Sequence, residues 1–493
     1  MVIFGATGDL TARKLMPALY NLCAENILPE RFFVAGVARR KFSCEDFRSL
    51  MREAVVKFSR TKKTETHIWQ KLAKNLFYQD GYFEDEETYR KIIVLLSAFD
   101  KEIGACVTRF FYLATPPQNY SVILSHLEGS KLSEGCGQGS SKWTRIMIEK
   151  PFGRDLATAK KLEEQLSATF TERQIYRIDH YLAKETIQNI LAFRFANNLF
   201  KPIWNKDYID NIQITLAEAN GAGNRGKFYD GVGALRDVAQ NHLMAMLAYI
   251  TMEEPKSFAA SDTRAERVKV LQAIRCIEPG EVEQMVVRGQ YGKALINDKK
   301  LAGYREEKDV DPASSTETYV AFKLFIDNDR WRNMPFYLRT GKRLKSSAVS
   351  IDIQFKNPKS QLFSAYRFPK EAHANTLRIR IQPKEGINFR FFAKSPGLSP
   401  ELTPVNMDFS YEQSFKREMI DSYEKILIDS MTGDQTLFAT NSGFRATWEF
   451  ITKIMKGWKK MPVPKFPNYR AGSWGPNQAD ELIQRDGRHW LLH

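Results

Sequence analysis

Apolar and polar positions alternate in two different ways along this chain. In the first third, short apolar runs at residues 2–4, 32–37, 109–113 and 145–148 are separated by longer polar stretches of helical character. Strands that alternate with helices in this way predict a parallel, doubly wound α/β sheet. Residues 129–141, which hold four glycines and four serines, are expected to form a surface loop before the last of these strands.

From about residue 211 the pattern changes to a period of two. Ile212, Ile214 and Leu216 alternate with polar residues, and residues 320–326 and 377–382 repeat the alternation. Such strands are typical of a largely antiparallel sheet with one exposed face. Helices are expected to follow, with their apolar faces formed by Met419, Tyr423, Ile426 and Leu427, and by Phe444, Trp448, Ile451 and Met455. The second part of the chain is therefore predicted to be α+β.

The length of 493 residues exceeds what one hydrophobic core usually serves, which favours two domains. We place the boundary near Arg177, with domains at residues 1–177 and 178–493. Hydrophobic residues at 43% and charged residues at 27% are typical of a globular protein and exclude a disordered one.

Nothing in the sequence predicts a membrane span or a signal peptide, so we expect a cytoplasmic protein without a membrane partner. The five cysteines include no C-x-x-C pair. This spacing favours reduced thiols and argues against structural disulfides and against a metal site.

A net charge of +15 predicts an affinity for anions. Nucleic acid is not expected, because the basic residues are spread along the chain and no nucleic-acid-binding motif is visible. Small phosphorylated ligands are the better first hypothesis.

A glycine-containing loop follows the first predicted strand and opens a helix. Glycines let a backbone approach a pyrophosphate, and the N-terminus of a helix supplies N–H donors to it. The loop consists of Gly5, Ala6, Thr7, Gly8, Asp9 and Leu10. Arg39 and Arg40 stand at the end of the second strand, where NAD enzymes commonly have an acidic residue. We therefore predict a Rossmann-like domain that binds NADP through its 2′-phosphate, although a solvated basic turn is the alternative.

Residues 177–185 bring together arginine, aspartate, histidine, tyrosine and lysine. If this segment is helical, His180 and Lys184 lie four residues apart on one face and could bind one anion. The alternative is the start of an amphipathic helix that Asp179 caps.

The segment from Asp230 to His242 leads into a helix with an apolar face. A histidine beside such a face is usually structural, but Arg236, Asp237, Gln240 and Asn241 surround this one with more polar groups than a buried helix needs. Glu218 stands at the end of a predicted strand and Lys342 follows a turn at Gly341, and each of these single charged residues is expected at the surface.

These segments together resemble the glucose-6-phosphate dehydrogenase family over essentially the whole chain. The motifs that carry the resemblance occur in the family's order: GATGDLTARKLMP, FYLATPP, EKPFGRD, YRIDHYLAKETIQN, RFAN, IWN, RDVAQNHL, LRTGKRL, IQPKEG and GPNQADEL.

The resemblance implies an NADP-dependent enzyme that oxidises D-glucose 6-phosphate to 6-phospho-D-glucono-1,5-lactone in the oxidative pentose phosphate pathway. It implies that His242 is the general base for the C1 hydroxyl and that Asp179 orients the imidazole. The implied substrate-binding residues are His180, Tyr181, Lys184, Glu218, Asp237, Lys342, Lys150 and Gln382. The implied cofactor-binding residues are Gly5, Ala6, Thr7, Gly8, Asp9, Leu10, Lys14, Arg39, Tyr120 and Lys150.

The resemblance also implies a homodimer or a dimer of dimers that associates through the large sheet. Two alternatives remain at this point. One is a related Rossmann oxidoreductase that acts on another sugar phosphate, and the other is an NADP-binding or nucleic-acid-binding protein with impaired catalysis.

Overall fold

The chain folds into two units in the computed structural model. The model describes residues 1–61, 64–136, 144–296, 298–357, 375–398, 401–415 and 419–492. The first unit comprises Met1–Ala183, Phe258–Arg264 and Ile420–Asn441, and the rest of the chain forms the second. The first division therefore falls six residues after the predicted boundary, and two later segments join the first unit.

A parallel sheet of six strands forms the centre of the first unit. Its strands are β1 (Val2–Phe4), β2 (Val34–Ala38), β3 (Leu76–Asp80), β4 (Arg109–Leu113), β5 (Thr144–Ile148) and β6 (Ile175–Arg177). Their order in the sheet is β3-β2-β1-β4-β5-β6, with every pair parallel. The predicted doubly wound fold is confirmed, and the four predicted apolar runs coincide with β1, β2, β4 and β5.

The sequence interpretation did not include β3 and β6. β3 is only partly buried, with Tyr78 and Leu76 facing inward, so its five residues carry little apolar signal. β6 is a three-residue strand in which Arg177 is fully buried. Part of the predicted loop, residues 137–141, lies outside the described residues, and its first residue instead ends a helix.

Helices pack around this sheet. They are a π-type stretch at Thr11–Leu15, α1 (Met16–Ala24), α2 (Cys44–Phe58), α3 (Thr66–Lys74), α4 (Glu86–Ile103), α5 (Tyr120–Gly129), α6 (Leu156–Thr169) and the later helix α13 (Ser422–Thr432). Local capping defines their ends, as in α2, where Ser43 and Asp46 form a reciprocal capping box. Gly104 ends α4 in the left-handed conformation, with φ of 75°.

A sheet of eight strands forms the centre of the second unit. Its strands are β7 (Ile209–Ala217), β8 (Val286–Gly289), β12 (Tyr319–Leu324), β13 (Phe336–Gly341), β14 (Ala348–Phe355), β15 (Thr376–Gln382), β16 (Gly386–Lys394) and β17 (Leu402–Ser410). The order is β17-β16-β15-β14-β7-β13-β12-β8. Only β7 and β13 pair in parallel among these described strands, so the prediction of a mostly antiparallel sheet is confirmed.

The prediction of one exposed face was wrong for β7. Gln213 and Thr215 alternate with its apolar residues, yet each is only 1% exposed. The segment after the last helix covers them, because the Gln213 side chain donates to the His489 carbonyl at 2.8 Å and accepts from the Leu491 N–H at 2.8 Å. The polar side chains of Gln213 and Thr215 on β7 are therefore buried but paired.

The remaining elements of the second unit are mostly helical. The helices are α7 (Glu185–Phe195), α8 (Gly226–Tyr229), a π-type stretch at Leu235–Leu243, α9 (Met244–Thr251), α10 (Ala260–Gln272, whose start belongs to the first unit), α11 (Val282–Met285), α12 (Tyr411–Phe415), α14 (Asn441–Lys459) and α15 (Asn477–Gln484). Four short strands complete the unit: β9 (Tyr291–Gly292), β10 (Ala294–Ile296), β11 (Lys299–Leu301) and β18 (Tyr469–Arg470). Among the described residues, no helix combines the length and the apolarity needed to cross a bilayer.

A disulfide joins Cys106 and Cys136 in the first unit, with the two Cα atoms 5.7 Å apart. The prediction that the cysteines form no disulfide was therefore wrong. The two cysteines are 30 positions apart in the sequence, a separation that gives no recognisable spacing, and only the tertiary fold brings their sulfurs together. Cys23, Cys44 and Cys276 are free thiols.

Candidate active site

The glycine loop lies at the carboxyl end of β1. Gly5 has a φ of +89°, and a Cβ atom on it would lie 2.3 Å from the Ala114 carbonyl oxygen. The N–H groups of Gly5 and Ala6 donate to the Val37 carbonyl at 2.9 and 3.2 Å. The loop is thus held between β2 and the end of β4, the two neighbours of β1. This is where the strand order reverses, which is the usual ligand position of such sheets.

The chain becomes helical at Asp9, within the last two residues of this loop. The first N–H groups of a helix have no partner within the helix and attract anions. Thr11 supports the turn, because its hydroxyl donates to the Gly5 carbonyl at 3.3 Å. Asp9 is exposed, and its carboxylate pairs with Arg13 at 2.6 Å. The loop is therefore a tight turn at the start of a helix.

Arg39 and Arg40 follow β2 and are both exposed. Neither guanidinium forms an ion pair with any residue that the structure describes. Two cations without an ion pair at the carboxyl end of β2 are a donor set that fits a dinucleotide with an additional phosphate on its ribose.

Lys14 of the predicted cofactor site has partners within the first unit. Its ammonium lies 2.9 Å from Asp421 and 5.8 Å from the centre of the Tyr423 ring. Asp421 also caps α13 by accepting the Tyr423 N–H at 2.9 Å. Lys14 therefore contributes its charge from a fixed position.

Glu149 is a buried carboxylate that the sequence interpretation did not single out. Tyr112 donates to its carboxyl oxygen at 2.6 Å and Tyr423 donates at 3.1 Å. Burial raises the pKa of Glu149, while these two hydroxyls oppose the rise. The sequence motif EKP could have identified Glu149, because Lys150 of the same motif was already a predicted site residue.

Tyr120 and Lys150 lie beside this carboxylate. The Tyr120 side chain is 1% exposed, and its hydroxyl donates to the Glu149 backbone carbonyl at 2.9 Å. The structure thus places Tyr120 in the interior, where it supports the backbone next to Lys150. Lys150 itself precedes a cis peptide bond to Pro151.

Residues 179–183 form a turn, so the helical arrangement considered for His180 and Lys184 is wrong. The Asp179 carboxylate accepts the Tyr181 N–H at 3.0 Å, and its carbonyl accepts the Leu182 N–H at 3.0 Å. A side chain that bonds the backbone two residues later favours a turn over a helix. Helix α7 begins only at Glu185, with Lys184 at its N-cap position.

His180 is placed by aromatic contacts in the first unit. Its ring centre lies 4.8 Å from that of Tyr181 and 6.3 Å from that of Tyr423, with the His180 and Tyr423 planes 20° apart. Arg177, in contrast, is structural: it is fully buried and binds Glu163 and Glu172 at 2.7 and 2.9 Å.

His242 lies on the π-type stretch Leu235–Leu243 of the second unit. His242 is 2% exposed and Asp237 is 8% exposed. The neighbouring polar groups are partly accounted for, since Gln240 donates to Thr447 at 2.9 Å and Asn241 accepts the His242 N–H at 2.6 Å. The histidine is therefore held on a wide, rigid helical segment, and such segments are frequent at functional sites.

Glu317 fixes the start of this stretch, and the sequence interpretation missed it. Its carboxyl oxygen accepts the Leu235 N–H at 3.1 Å and its carbonyl accepts the Ala234 N–H at 3.0 Å. A Cβ atom at Gly233 would lie 2.2 Å from the carboxylate, so the approach requires glycine. Burial raises the pKa of Glu317, while Arg236 and the backbone donors oppose the rise.

Glu218 and Lys342 pair with each other, which corrects the expectation of two separate surface residues. The Lys342 ammonium lies 2.6 Å from the Glu218 carboxylate and 4.9 Å from the centre of the Tyr229 ring. Lys342 is buried, because the parallel pairing of β7 and β13 brings both strand ends together. Gln382 is the last residue of β15 and lies at the same end of the strands as Glu218. Its side chain is exposed.

These features are those of a dinucleotide-binding oxidoreductase: a parallel sheet with a glycine loop at the start of a helix in one unit, and in the other a sheet with paired charges at its strand ends and a buried histidine on a helical stretch. The family model for the glucose-6-phosphate dehydrogenase NAD binding domain matches residues 2–189, and that for the C-terminal domain matches residues 191–491. The chain belongs to the glucose-6-phosphate dehydrogenase family.

Individual relatives agree with this assignment. Glucose-6-phosphate 1-dehydrogenase of Chlamydia muridarum is 45% identical over 99% of this chain and 96% of its own length. Glucose-6-phosphate 1-dehydrogenase 2 of Mycobacterium tuberculosis is 42% identical over 99% of this chain and 94% of its own. A solved glucose-6-phosphate dehydrogenase in complex with glucose 6-phosphate is 32% identical and matches with a TM-score of 0.89, covering 99% of this chain and 97% of that one.

Proposed function

We propose that His242 is the general base of the reaction that family membership assigns to this chain, the NADP-dependent oxidation of D-glucose 6-phosphate to 6-phospho-D-glucono-1,5-lactone. Oxidation of C1 removes a proton from its hydroxyl and a hydride from its carbon. Imidazole is a suitable acceptor for that proton because its ordinary pKa lies close to neutrality. The nearly complete burial of His242 on a rigid helical stretch is the observation that carries the proposal.

Asp179 is proposed to orient this imidazole and to stabilise its protonated form. The turn in which Asp179 accepts the Tyr181 N–H fixes the position of the carboxylate, and burial to 7% exposure limits its solvation. A fixed, poorly solvated carboxylate is the group that stabilises a developing imidazolium most effectively.

The substrate phosphate is proposed to bind His180, Tyr181 and Lys184, since these side chains follow one another along the turn and the cap of α7. Glu218, Lys342, Asp237 and Gln382 are proposed to bind the sugar hydroxyls. The Lys342–Glu218 pair offers donors and acceptors in one fixed group, which suits recognition of neighbouring hydroxyls.

The cofactor is proposed to bind with its pyrophosphate at Gly5–Leu10, its 2′-phosphate at Arg39, and Lys14 and Lys150 nearby. When bound, NADP supplies the acceptor for the hydride. The residues of this chain contribute the anion-binding loop and two unpaired guanidiniums at the end of β2, which hold the acceptor in place.

Replacement of the base tests the proposal directly. We expect His242→Asn to lower kcat by about 10²- to 10⁴-fold with little change in either KM, because only proton removal is lost. Steady-state formation of reduced nicotinamide, followed by its absorbance, measures both constants.

His126→Asn is the matched control, since His126 stacks on Tyr89 in the first unit and has no proposed role in the reaction. Unchanged turnover of His242→Asn would refute the assignment. Failure of the unsubstituted protein to oxidise glucose 6-phosphate would refute the proposed reaction itself.

Association of copies is a separate proposal: a homodimer or a dimer of dimers that uses the eight-stranded sheet. Strand β17 is an edge of that sheet, and its Met407 is 62% exposed. Unpaired edges and exposed apolar side chains favour a partner. Light scattering of the purified protein should give at least twice the mass of one chain. The cytoplasmic location also remains a prediction, without the support first drawn from the cysteines.

A further inference from the structure

The position of the Arg39 side chain is set mainly by the backbone that carries it. The guanidinium is exposed and forms no ion pair with a described residue. An arginine that must bind a phosphate from this state loses rotamer freedom on binding, which weakens the interaction. Whatever fixes the backbone on both sides of Arg39 therefore affects how strongly the side chain can bind.

The hydroxyl of Tyr78 contacts the backbone on both sides of Arg39. It lies 2.5 Å from the Arg40 carbonyl oxygen and 3.1 Å from the Ala38 carbonyl oxygen. The Tyr78 hydroxyl has one hydrogen to donate, and the Ala38 carbonyl also accepts the Gly81 N–H at 3.1 Å, whereas the Arg40 carbonyl has no other donor among the described residues. Loss of the hydroxyl would therefore release the backbone after Arg39 while leaving the end of β2 paired.

Tyr78 itself is rigidly placed in the adjacent strand β3. Its side chain is 8% exposed, and its ring packs on Phe47 at 4.9 Å and on Phe42 at 5.9 Å between centres. Burial raises the pKa of Tyr78 to about 12, so the hydroxyl remains a donor over the physiological range. A fixed donor on β3 thus anchors a turn at the end of β2.

We propose that Tyr78 is a positioning residue that determines the preference for NADP over NAD by fixing the backbone on both sides of Arg39. This inference rests on the proposed binding of the 2′-phosphate by Arg39. Tyr78 does not affect the affinity for NAD, because NAD has no phosphate on the 2′ position of its ribose. Tyr78 acts through Arg39 and contacts no ligand itself.

Tyr78→Phe tests the inference because it removes the hydroxyl and retains the ring that packs on Phe47. We expect the Kd and the KM for NADP to rise about three- to tenfold, which corresponds to one lost hydrogen bond, and those for NAD to stay within twofold. Calorimetric titration with each cofactor measures binding without turnover. A merely structural role would change both cofactors alike, and that result would overturn the inference.

Tyr89→Phe is the matched control. Tyr89 is also buried in the first unit, and its hydroxyl also donates to a backbone carbonyl, that of Phe83 at 2.9 Å. Loss of the Tyr89 hydroxyl should leave the ratio of the Kd for NADP to the Kd for NAD unchanged. The same selective loss of NADP in this variant would overturn a specific role for Tyr78.

The Arg39→Ala background separates this inference from the proposed function. Arg39→Ala alone should raise the Kd for NADP far more than that for NAD, and adding Tyr78→Phe should then have no further effect on their ratio. A further selective loss in the double variant would overturn action through Arg39. If Arg39→Ala leaves the ratio of the Kd for NADP to that for NAD unchanged, the proposed contact of Arg39 with the 2′-phosphate is wrong. If that ratio is unchanged only in Tyr78→Phe, the role of Tyr78 is wrong and the contact of Arg39 stands.

Discussion

At the scale of single residues, charged side chains divide into those held by a partner and those left in solvent. Lys342 is buried against Glu218, and Lys14 is fixed by Asp421. Arg39 and Arg40 are exposed without an ion pair in the described part of the chain. Paired cations are placed before a ligand arrives, whereas free cations retain their full charge for an anion but must be ordered by it. The cations proposed to bind or lie beside the substrate and the cofactor belong to both groups.

Lys184 allows the phosphate contact to be measured at this scale. We expect Lys184→Ala to lower kcat/KM for glucose 6-phosphate at least tenfold more than for glucose, since a charged hydrogen bond contributes roughly 1.5–3 kcal/mol. Steady-state kinetics with both sugars measure this difference. Lys201→Ala is the control, because Lys201 is exposed and pairs with Glu254. Equal losses for both sugars would contradict the assignment.

At the scale of elements, two helical stretches of the π type stand out. Thr11–Leu15 follows the glycine loop, and Leu235–Leu243 carries Asp237 and His242. The wider turn displaces side chains from the positions of an ordinary α-helix and needs support from its surroundings. Glu317 gives that support at Leu235, and Thr11 bonds back to Gly5. Each stretch thus presents side chains from a position that tertiary contacts define.

Asp230 ties the segment before the second stretch to the loop that precedes β12. Its carboxylate accepts the hydroxyls of Ser314, Thr316 and Tyr304. Burial alone would raise the pKa of Asp230, but the hydroxyls of Ser314 and Thr316 lower it below 3.8 overall. The ionised carboxylate therefore stabilises the fold above that value, and its contribution is lost as the pH falls through the lowered pKa.

The variant Asp230→Asn, which removes the ionisable group, tests this dependence of stability on pH. We expect the variant to be less stable than the unsubstituted protein at pH 6–7 by roughly 1–3 kcal/mol, and the difference to shrink as the pH is lowered toward about 3. Urea unfolding at several pH values gives the free energies. A difference that stays constant over this range would show that the charge of Asp230 is not the cause.

The sequence predicted β1, β2, β4, β5, β7, β12 and β15 because their apolar patterns are local, and it missed β3 and β6. The alternation of Ile212, Ile214 and Leu216 identified β7, but its polar face is buried by a segment more than 270 residues away, which no local pattern indicates. The same holds for the Lys342–Glu218 pair, which depends on the parallel register of two strands. The wide helix around His242 also depends on Glu317, so its geometry could not be predicted from the helix alone.

At the scale of the whole molecule, the first unit is assembled from three separate parts of the chain. Helix α13 contributes Glu424, whose fully buried carboxylate accepts Asn21 at 2.8 Å and Arg60 at 2.9 Å. Arg264, at the end of the second part, donates to Gln435 at 2.6 Å and pairs with Glu172 at 3.0 Å. Polar groups of the first 183 residues, Asn21, Arg60 and Glu172, therefore take part of their buried hydrogen-bond partners from later residues.

A fragment of residues 1–183 should accordingly lack a cooperative thermal transition. The side chain of Asn21 would lose its buried carboxylate partner, and α1 would lose the helix α13 that packs against it. The same fragment joined through a flexible linker to residues 420–441 should recover part of the transition, which calorimetry would detect. Identical melting of the two fragments would contradict this requirement.

The interleaving of the units has a consequence for protein synthesis. A ribosome that has translated residue 183 must translate to residue 441 before the last part of the first unit exists. At ordinary elongation rates of about 5–20 residues per second, this interval lasts roughly 15–50 s. The glycine loop and the parallel strands of the first unit remain incomplete throughout this interval. Chaperones therefore have the longest access to the part of the protein that is translated first.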